Sequence, residues 1–211
     1  MRILNWKRNR AERIQQIKYN FEESRFVTDF GFDFTVFPDE IAALSETHWT
    51  RVFVAMMAIR MLAPDPETRI LDVGSGCGKF CLVGAMSSPG KFTGIEIRED
   101  LYEIAQAARS EFQIENVQFI HGDMADLDWC RFDAFYFYNP FIESPGRDRP
   151  ANALEEFFRC TEIVRAKLRD CPVGTKVVTH HGFGGEMPRF YKCIETHAVG
   201  GATLDLWIKG D

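Results

Sequence analysis

One segment of nine residues constrains the fold more than any other. Residues 70–78 read ILDVGSGCG, an apolar run that contains one acidic residue, Asp72, and then carries a glycine at every second position. A short apolar run bounded by glycine is typical of a buried strand, and alternating glycines let the backbone turn sharply and approach a ligand where a Cβ atom would collide. The segment therefore predicts a buried strand that leads directly into a ligand-binding loop.

The chain after residue 69 alternates between strand-like and helix-like patterns. The predicted strands are 69–73, 92–96, 117–120, 133–138 and 175–180, and the predicted helices are 79–86, 99–112 and about 151–169. This alternation predicts a parallel sheet with helices on both faces. A short helix near Glu186 is expected next, and Gly200 and Gly201 then join 193–199 to 204–209 in a terminal β-hairpin.

The first 63 residues have a different, helix-rich pattern. Segment 6–23 has the spacing of a basic amphipathic helix, and 38–62 has the spacing of a second, continuous helix. We therefore expect residues 1–63 to form an N-terminal helical extension, or cap, and residues 64–211 to form the main domain.

Charge and composition restrict the function classes. The formal net charge of −6 and the isoelectric point near 5.5 argue against a general nucleic-acid binder, since phosphate contacts need a dense positive surface. The six cysteines show no CxxC pair and no zinc-site spacing, so we expect reduced thiols and no metal. The longest apolar run, 52–59, is far shorter than the roughly 20 residues that cross a bilayer. We expect a soluble, cytoplasmic protein without a membrane partner.

Two further segments extend the glycine-loop pattern along the sheet. Glu96 follows Gly74 by 22 residues at the end of the second predicted strand, and residues 122–124, which read GDM, follow the third. Together these segments resemble the class I S-adenosylmethionine-dependent methyltransferase family over about residues 64–211. The resemblance implies an α/β fold, a Rossmann-like three-layer sandwich whose seven-stranded, mostly parallel sheet ends in an antiparallel hairpin.

The resemblance also implies S-adenosyl-L-methionine as the cofactor. The glycine loop would hold its methionine portion with Asp72 near the ammonium group, and Glu96 would accept hydrogen bonds from both ribose hydroxyls. Asp123 would read the adenine amino group, Met124 would cover the ring, and an isoleucine beside Glu96 would pack against it. The expected cofactor-binding residues are Asp72, Gly74, Ser75, Gly76, Gly78, Glu96, Ile97, Asp123, Met124 and Asn139.

The end of the fourth predicted strand is the expected place for the methyl acceptor, because open α/β sheets bind ligands beyond the carboxyl ends of their strands. Asn139 and Pro140 resemble the N/D-P-P-Y/F motif of amino-group methyltransferases, in which the polar side chain accepts a hydrogen bond from the target nitrogen. The chain departs from that motif at Phe141, which replaces the second proline, and at Ile142, which takes the aromatic position. The resemblance implies methyl transfer to a nitrogen of a small-molecule amine or of a protein side chain.

The acceptor contacts expected from this resemblance are Tyr138, Pro140 and Phe141, with Asn139 in a catalytic role. The alternative is that Asn139 and Pro140 only shape the turn while the neighbouring aromatic rings pack against the core or the cofactor. Methyl transfer from a protonated amine also needs a proton acceptor. His181, at the end of the fifth predicted strand, is our candidate base, and His180, Glu46 and His48 are the other groups considered.

Two other function classes are compatible with parts of this pattern. A catalytically silent protein that binds S-adenosylmethionine as a scaffold would keep the same loop and acids. An NAD-dependent oxidoreductase would share the fold and the ribose carboxylate, but its GxGxxG loop would place the third glycine at position 79, where this chain has Lys79. The glycine spacing therefore argues against NAD.

Overall fold

A computed structural model of the chain describes residues 2–141 and 152–211. The side chains of residues 2–9 and of Glu46 are outside that description, so the candidate base Glu46 is not placed. Ile142 and the first residue of the helix expected at 151 also lie outside the described residues.

The described chain contains a seven-stranded sheet in the order β3-β2-β1-β4-β5-β7-β6. The strands are β1 Arg69–Val73, β2 Lys91–Glu96, β3 Val117–His121, β4 Ala134–Tyr138, β5 Lys176–His180, β6 Tyr191–Val199 and β7 Ala202–Lys209. Strands β1 to β5 are parallel, and β7 runs antiparallel to both β5 and β6. The chain reverses direction across the sheet at β1, whose neighbours β2 and β4 leave a crevice at their carboxyl ends.

Eight α-helices accompany the sheet within the described ranges. They are α1 Arg2–Glu22, α2 Asp29–Val36, α3 Asp39–Ala42, α4 Ser45–His48, α5 Val52–Leu62, α6 Lys79–Ser87, α7 Glu99–Phe112 and α8 Ala153–Asp170. None of them is long and apolar enough to span a bilayer, in the part of the chain that was placed.

Alternate residues of the central strands face two separate apolar layers. Ile70 and Tyr136 pack in a cluster with the N-terminal helices, α6 and α7, whereas Leu71, Phe135 and Phe137 pack in a second cluster with α8. Because strand residues alternate between the faces of a sheet, strands buried on both sides become almost uniformly apolar. The three-layer fold predicted from the sequence is therefore confirmed, and the N-terminal helices share a core with one face of the sheet.

The prediction of one continuous helix over 38–62 was wrong. The helix breaks before α5, where Trp49 and Arg51 are extended. Trp49 Nε1 donates to the Ile41 carbonyl at 3.2 Å, and the Thr50 and Tyr136 hydroxyls hydrogen-bond at 2.9 Å. These hydrogen bonds stabilise the extended backbone between α4 and α5, although the apolar spacing alone is compatible with a helix.

One helix that the sequence patterns left unassigned forms in the structure, and one predicted helix does not. A helix, α2, begins at Asp29, where Thr28 caps it by accepting a hydrogen bond from the Gly31 amide at 3.0 Å. No helix forms near Glu186. Gly182 and Gly184 adopt positive φ just before that position, so the backbone turns sharply instead of continuing into a helix.

A buried ion cluster fastens the N-terminal helices to the glycine loop. Lys79 begins α6 and is 2% exposed, and its ammonium lies 2.7 Å from Asp29, 2.9 Å from Asp33 and 2.9 Å from the Ser45 hydroxyl. Asp29 also accepts a hydrogen bond from the Val52 amide at the start of α5. Burial raises the pKa of Asp33, and the Lys79 charge opposes that rise. Lys79 thus connects α2 and α4 directly, and α5 through Asp29, to the helix that follows the glycine loop.

Replacing Lys79 by methionine should destabilise the fold strongly. The change leaves two carboxylates near each other with no cation, a situation that typically costs about 3–5 kcal/mol when the pair is buried. Urea denaturation followed by circular dichroism measures the loss. Lys91→Met is the matched control, because its partner Glu67 is highly exposed and the pair should contribute less than about 1 kcal/mol. Equal losses of unfolding free energy in the two variants would show that the buried cluster stabilises the fold no more than an exposed ion pair does.

Candidate active site

A cavity of about 930 Å³ lies at the carboxyl ends of β1, β2 and β4. Its lining includes most of the residues expected at the site: Asp72, Gly74, Ser75, Gly76, Glu96, Ile97, Asp123, Met124, Tyr138, Asn139, Pro140, Phe141 and His181. The sheet brings them together because β1, β2 and β4 are neighbours and the third segment follows β3. Gly78 is the exception and does not line the cavity.

The first two glycines of the loop make room for side chains of this protein. Gly74 has a φ of +72°, and a Cβ atom there would lie 2.8 Å from the Pro140 side chain. Gly76 has a φ of +55°, and its Cβ would lie 2.7 Å from the Trp49 ring. Real Cβ contacts are not that short, so a side chain at either position would displace a cavity wall as well as strain the backbone.

Gly78 serves packing below the cavity. It precedes α6 with a φ of +81°, and a Cβ at this position would collide with the ring of Phe119 in β3. Close packing between α6 and β3 thus explains why position 78 is a glycine. Its location outside the cavity lining does not support the expectation that Gly78 binds the cofactor.

Glu96, at the end of β2, is held in a fixed orientation by two backbone donors. The Gly76 amide donates to its Oε2 at 2.8 Å, and the Arg98 amide donates to its Oε1 at 2.9 Å. Burial raises the pKa of Glu96, and the hydrogen bonds from these two amides partly offset that rise. Each carboxylate oxygen retains a further lone pair. Glu96 can therefore accept hydrogen bonds from two neighbouring hydroxyls in the cavity.

Asp72, at the end of β1, is a buried carboxyl group whose one hydrogen-bond donor within the described residues is a thiol. The Cys81 thiol lies 3.7 Å from its Oδ2, and the group is 4% exposed. Burial raises the pKa of Asp72 to about 8, the Cys81 thiol opposes the rise, and the neighbouring Glu96 charge adds to it. A cation that entered the cavity beside Asp72 would favour the ionised carboxylate.

Asp123 follows β3, two strands from β1, and lines the same cavity as the glycine loop. Its Oδ1 accepts a hydrogen bond from the Ala125 amide at 2.9 Å, and its Oδ2 accepts one from Arg159 in α8 at 3.1 Å. Met124 is buried in the second apolar cluster, whereas Ile97 is 64% exposed at the cavity. Ile97 is thus free to pack against a ligand ring, while Met124 supports the floor beneath it.

Asn139 lies just after β4 with a strained backbone and an unsatisfied amide oxygen. Its φ is +42°, in the left-handed region, and its backbone N–H donates to the Gly182 carbonyl at 3.1 Å. The side-chain Oδ1 is buried without a hydrogen-bond partner among the described residues. Buried carbonyl oxygens are nearly always paired, so an orphan that lies at a cavity marks a place where a ligand donor fits.

Two histidines mark the carboxyl end of β5: His180 is its last residue and His181 follows it, next to the Gly182 that pairs with Asn139. His180 is buried and stacks on Tyr138 with ring centroids 5.0 Å apart, and burial lowers its pKa to about 4. His181 lines the cavity with a φ of +59°, and its ring lies 5.7 Å from that of Tyr138. His181 is therefore better placed than His180 to meet a substrate.

The N-terminal helices supply a wall of the cavity, as expected of a cap, although no sequence motif selects the residues that form it. Residues 47–50 line the cavity, and Trp49 lies over Gly76. Tyr136 also reaches the cavity from β4, where its ring stacks on Phe80 at 3.8 Å. No motif marks these residues, but the break between α4 and α5 turns them toward the site.

Solved structures with the same architecture share little sequence with this chain. An RNA methyltransferase from Salinibacter ruber, solved in complex with S-adenosyl-L-homocysteine, superposes with a TM-score of 0.57 at 22% identity, over 74% of this chain and 90% of that one. TrmN from Thermus thermophilus superposes with a TM-score of 0.56 at 16% identity, over 76% of this chain and 49% of that one. At such identities the likeness shows the fold.

Residues 64–163 match the family model described as a methyltransferase domain. This part of the chain therefore matches a methyltransferase domain, and the strand order around it is the fold of the class I S-adenosylmethionine-dependent methyltransferases. The family resemblance and the fold class drawn from the sequence are both confirmed. The matched methyltransferase domain includes the glycine loop, Glu96, Asp123 and Asn139.

Curated relatives match a shorter part of the chain. A tRNA (guanine-N(7)-)-methyltransferase from Synechococcus sp. (strain JA-3-3Ab) is 38% identical over 78 residues, which is 36% of this chain and 29% of that protein. A protein of the same name from Synechococcus sp. (strain JA-2-3B'a(2-13)) is 37% identical over 78 residues. The chain thus spans under a third of these relatives' length.

The raised pKa of Asp72 should make the methyltransferase domain less stable at alkaline pH. A carboxyl group whose pKa is about 8 when folded and about 3.9 when unfolded contributes stability below pH 4 that is lost as pH rises toward 8. Asp72→Asn should therefore gain stability relative to wild type at pH 8.5, by at least about 1 kcal/mol more than at pH 5.

Urea denaturation at the two pH values measures this difference. Asp65→Asn is the control, because hydrogen bonds from Thr68 lower the pKa of Asp65 and the group is ionised at both pH values. Its effect on stability should be the same at pH 5 and pH 8.5. A pH-independent effect of Asp72→Asn would contradict the assigned pKa.

Proposed function

We propose that this protein is an enzyme that transfers a methyl group from S-adenosyl-L-methionine to a nitrogen atom of its acceptor. The observation that carries the proposal is that Asn139 lines the same cavity as Asp72 and Glu96 and that its buried Oδ1 has no hydrogen-bond partner among the described residues. A carbonyl oxygen accepts hydrogen bonds and donates none. It therefore fits an acceptor that presents an N–H group.

The other end of the cavity fits the methyl donor. Asp72 is a buried acid with no cationic partner among the hydrogen bonds described, and it suits the donor's ammonium group. Glu96 retains lone pairs for the two ribose hydroxyls, and Asp123 can accept from the adenine amino group. The proposed donor-binding set also includes Gly74, Gly76 and Ile97 at the cavity surface.

When bound, S-adenosylmethionine supplies a sulfonium methyl group whose leaving group needs no metal assistance. The residues of this chain then orient the acceptor and exclude water. Both effects accelerate a reaction that requires in-line geometry. Asn139 would hold the acceptor N–H, and Tyr138, Pro140 and Phe141 would enclose it. His181 is the proposed proton acceptor for a protonated amine, and residues 1–63 act as a cap that completes the wall.

The carrier of the acceptor nitrogen is either RNA, a protein or a small molecule. The curated relatives are named for guanine N7 of tRNA, which supports RNA. Guanine N7 carries no hydrogen, so on such an acceptor Asn139 would bind a different N–H group and the transfer would need no proton acceptor. The net charge of −6 argues against general nucleic-acid binding, but a specific RNA site needs only a local set of phosphate contacts. All six cysteines are free thiols, which fits the reducing cytoplasm that we propose as the place of action.

Replacing Asn139 by alanine should lower the rate of methyl transfer by about 10²- to 10³-fold while donor binding is retained, because one orienting hydrogen bond is lost at the reacting nitrogen. The assay measures incorporation from methyl-labelled S-adenosylmethionine into separate RNA, protein and small-molecule fractions of a cell extract. Asn20→Ala is the control, since Asn20 is a residue of α1 whose side chain, within the described residues, accepts a hydrogen bond from Gln16 in its own helix.

The fraction that becomes labelled identifies the carrier. Binding of S-adenosylhomocysteine without label in any fraction would instead favour the catalytically silent scaffold.

Binding of S-adenosylhomocysteine should release a proton from Asp72. Near pH 7 a group with a pKa of about 8 is mostly protonated, and the ligand ammonium would ionise it, so close to one proton leaves per ligand. Calorimetry at pH 7 in buffers with different ionisation enthalpies counts the protons. Asp72→Asn should abolish most of the buffer dependence. A buffer-independent binding enthalpy in wild type would show that Asp72 does not meet the ammonium.

A further inference from the structure

Arg159 links two acids across the entrance to the cavity. It projects from α8, and its guanidinium donates to both oxygens of Glu156 at 2.6–3.0 Å and to Oδ2 of Asp123 at 3.1 Å. All three residues line the cavity. The contact joins the loop after β3 to a helix that lies 36 residues further along the chain.

The contact also fixes the direction of Asp123. Its Oδ1 is held by the Ala125 amide and its Oδ2 by Arg159, so the carboxylate cannot rotate without breaking one of the two hydrogen bonds. A carboxylate offers about four lone-pair sites. Two are thus used from within the protein, and the remaining ones stay available in a fixed direction.

We propose that Arg159 is a positioning residue that determines which base the donor site accepts. This inference rests on the proposed function, in which Asp123 faces the amino group of the donor's base. A carboxylate held as an acceptor favours a base with an exocyclic amino group and repels one with an oxo group at the same position. Arg159 supplies the countercharge and the rigidity that this selection needs, and Glu156 holds Arg159 in place.

The experiment compares S-adenosylhomocysteine with S-inosylhomocysteine, in which an oxo group replaces the exocyclic amino group and N1 of the base gains a hydrogen. Wild type should prefer the amino base by about tenfold or more, since the oxo base leaves Asp123 facing another acceptor. In Arg159→Gln the preference should fall by about fivefold or more, because the glutamine carries no charge and cannot hold both acids. Competition binding at one ionic strength gives the ratio.

Arg165→Gln is the matched control. Arg165 lies on the same helix and pairs with Glu162 at the same i, i+3 spacing, but neither residue lines the cavity. This variant should keep the wild-type preference. Thermal unfolding of both variants verifies that they fold, which the exposure of both arginines favours.

The outcomes separate the two levels of the proposal. If Arg159→Gln weakens both ligands equally, or neither, Arg159 has only a structural role and the inference is overturned. Equal affinity of wild type for the two ligands overturns it as well and leaves the proposed function intact. If wild type binds neither ligand, the proposed function fails, and the inference fails with it.

Discussion

The position of the Lys79 ammonium is the constraint on which the site depends. Two carboxylates and a hydroxyl surround this cation at the first turn of α6, where the helix dipole disfavours positive charge. The buried charge therefore needs its partners from α2 and the start of α4, and these segments cannot move away without leaving it unpaired. The glycine loop and the N-terminal helices are thus fixed relative to each other, and the wall at residues 47–50 is placed as a consequence.

The cavity is chemically divided along the edge of the sheet. Its β1 and β2 side carries buried acids with raised pKa values, and its β4 and β5 side carries an unsatisfied amide oxygen among aromatic and imidazole rings. A cationic ligand is stabilised on the first side and a hydrogen-bond donor on the second. Parallel strands generate this division, because each strand delivers the residue at its carboxyl end to a defined position along one edge.

Local patterns were sufficient for the sheet and for most of the cavity lining. The bounds of β1 and α7 follow the sequence prediction closely, since their apolar spacing has one period throughout. The contacts of Lys79 and the contact of Arg159 with Asp123 could not be predicted, because these partners lie 34 to 50 residues away and no spacing rule connects them.

The break at Trp49 was missed for a related reason. No glycine or proline occurs there, and the extended backbone is accompanied by hydrogen bonds from Trp49 to Ile41, eight residues earlier, and between Thr50 and the distant Tyr136.

The glycine loop is shaped by this protein's own rings as much as by any ligand. Pro140 occupies the space beside Gly74, and Trp49 occupies the space beside Gly76, so each glycine is half of a complementary pair whose other half lies on a different segment. Such pairs restrict how the segments can be exchanged between homologous proteins. A chimera that carried a foreign N-terminal segment lacking a flat ring at position 49 would leave a void over the loop. The methyltransferase domain and its N-terminal helices should therefore be inherited, and recombined, as one unit.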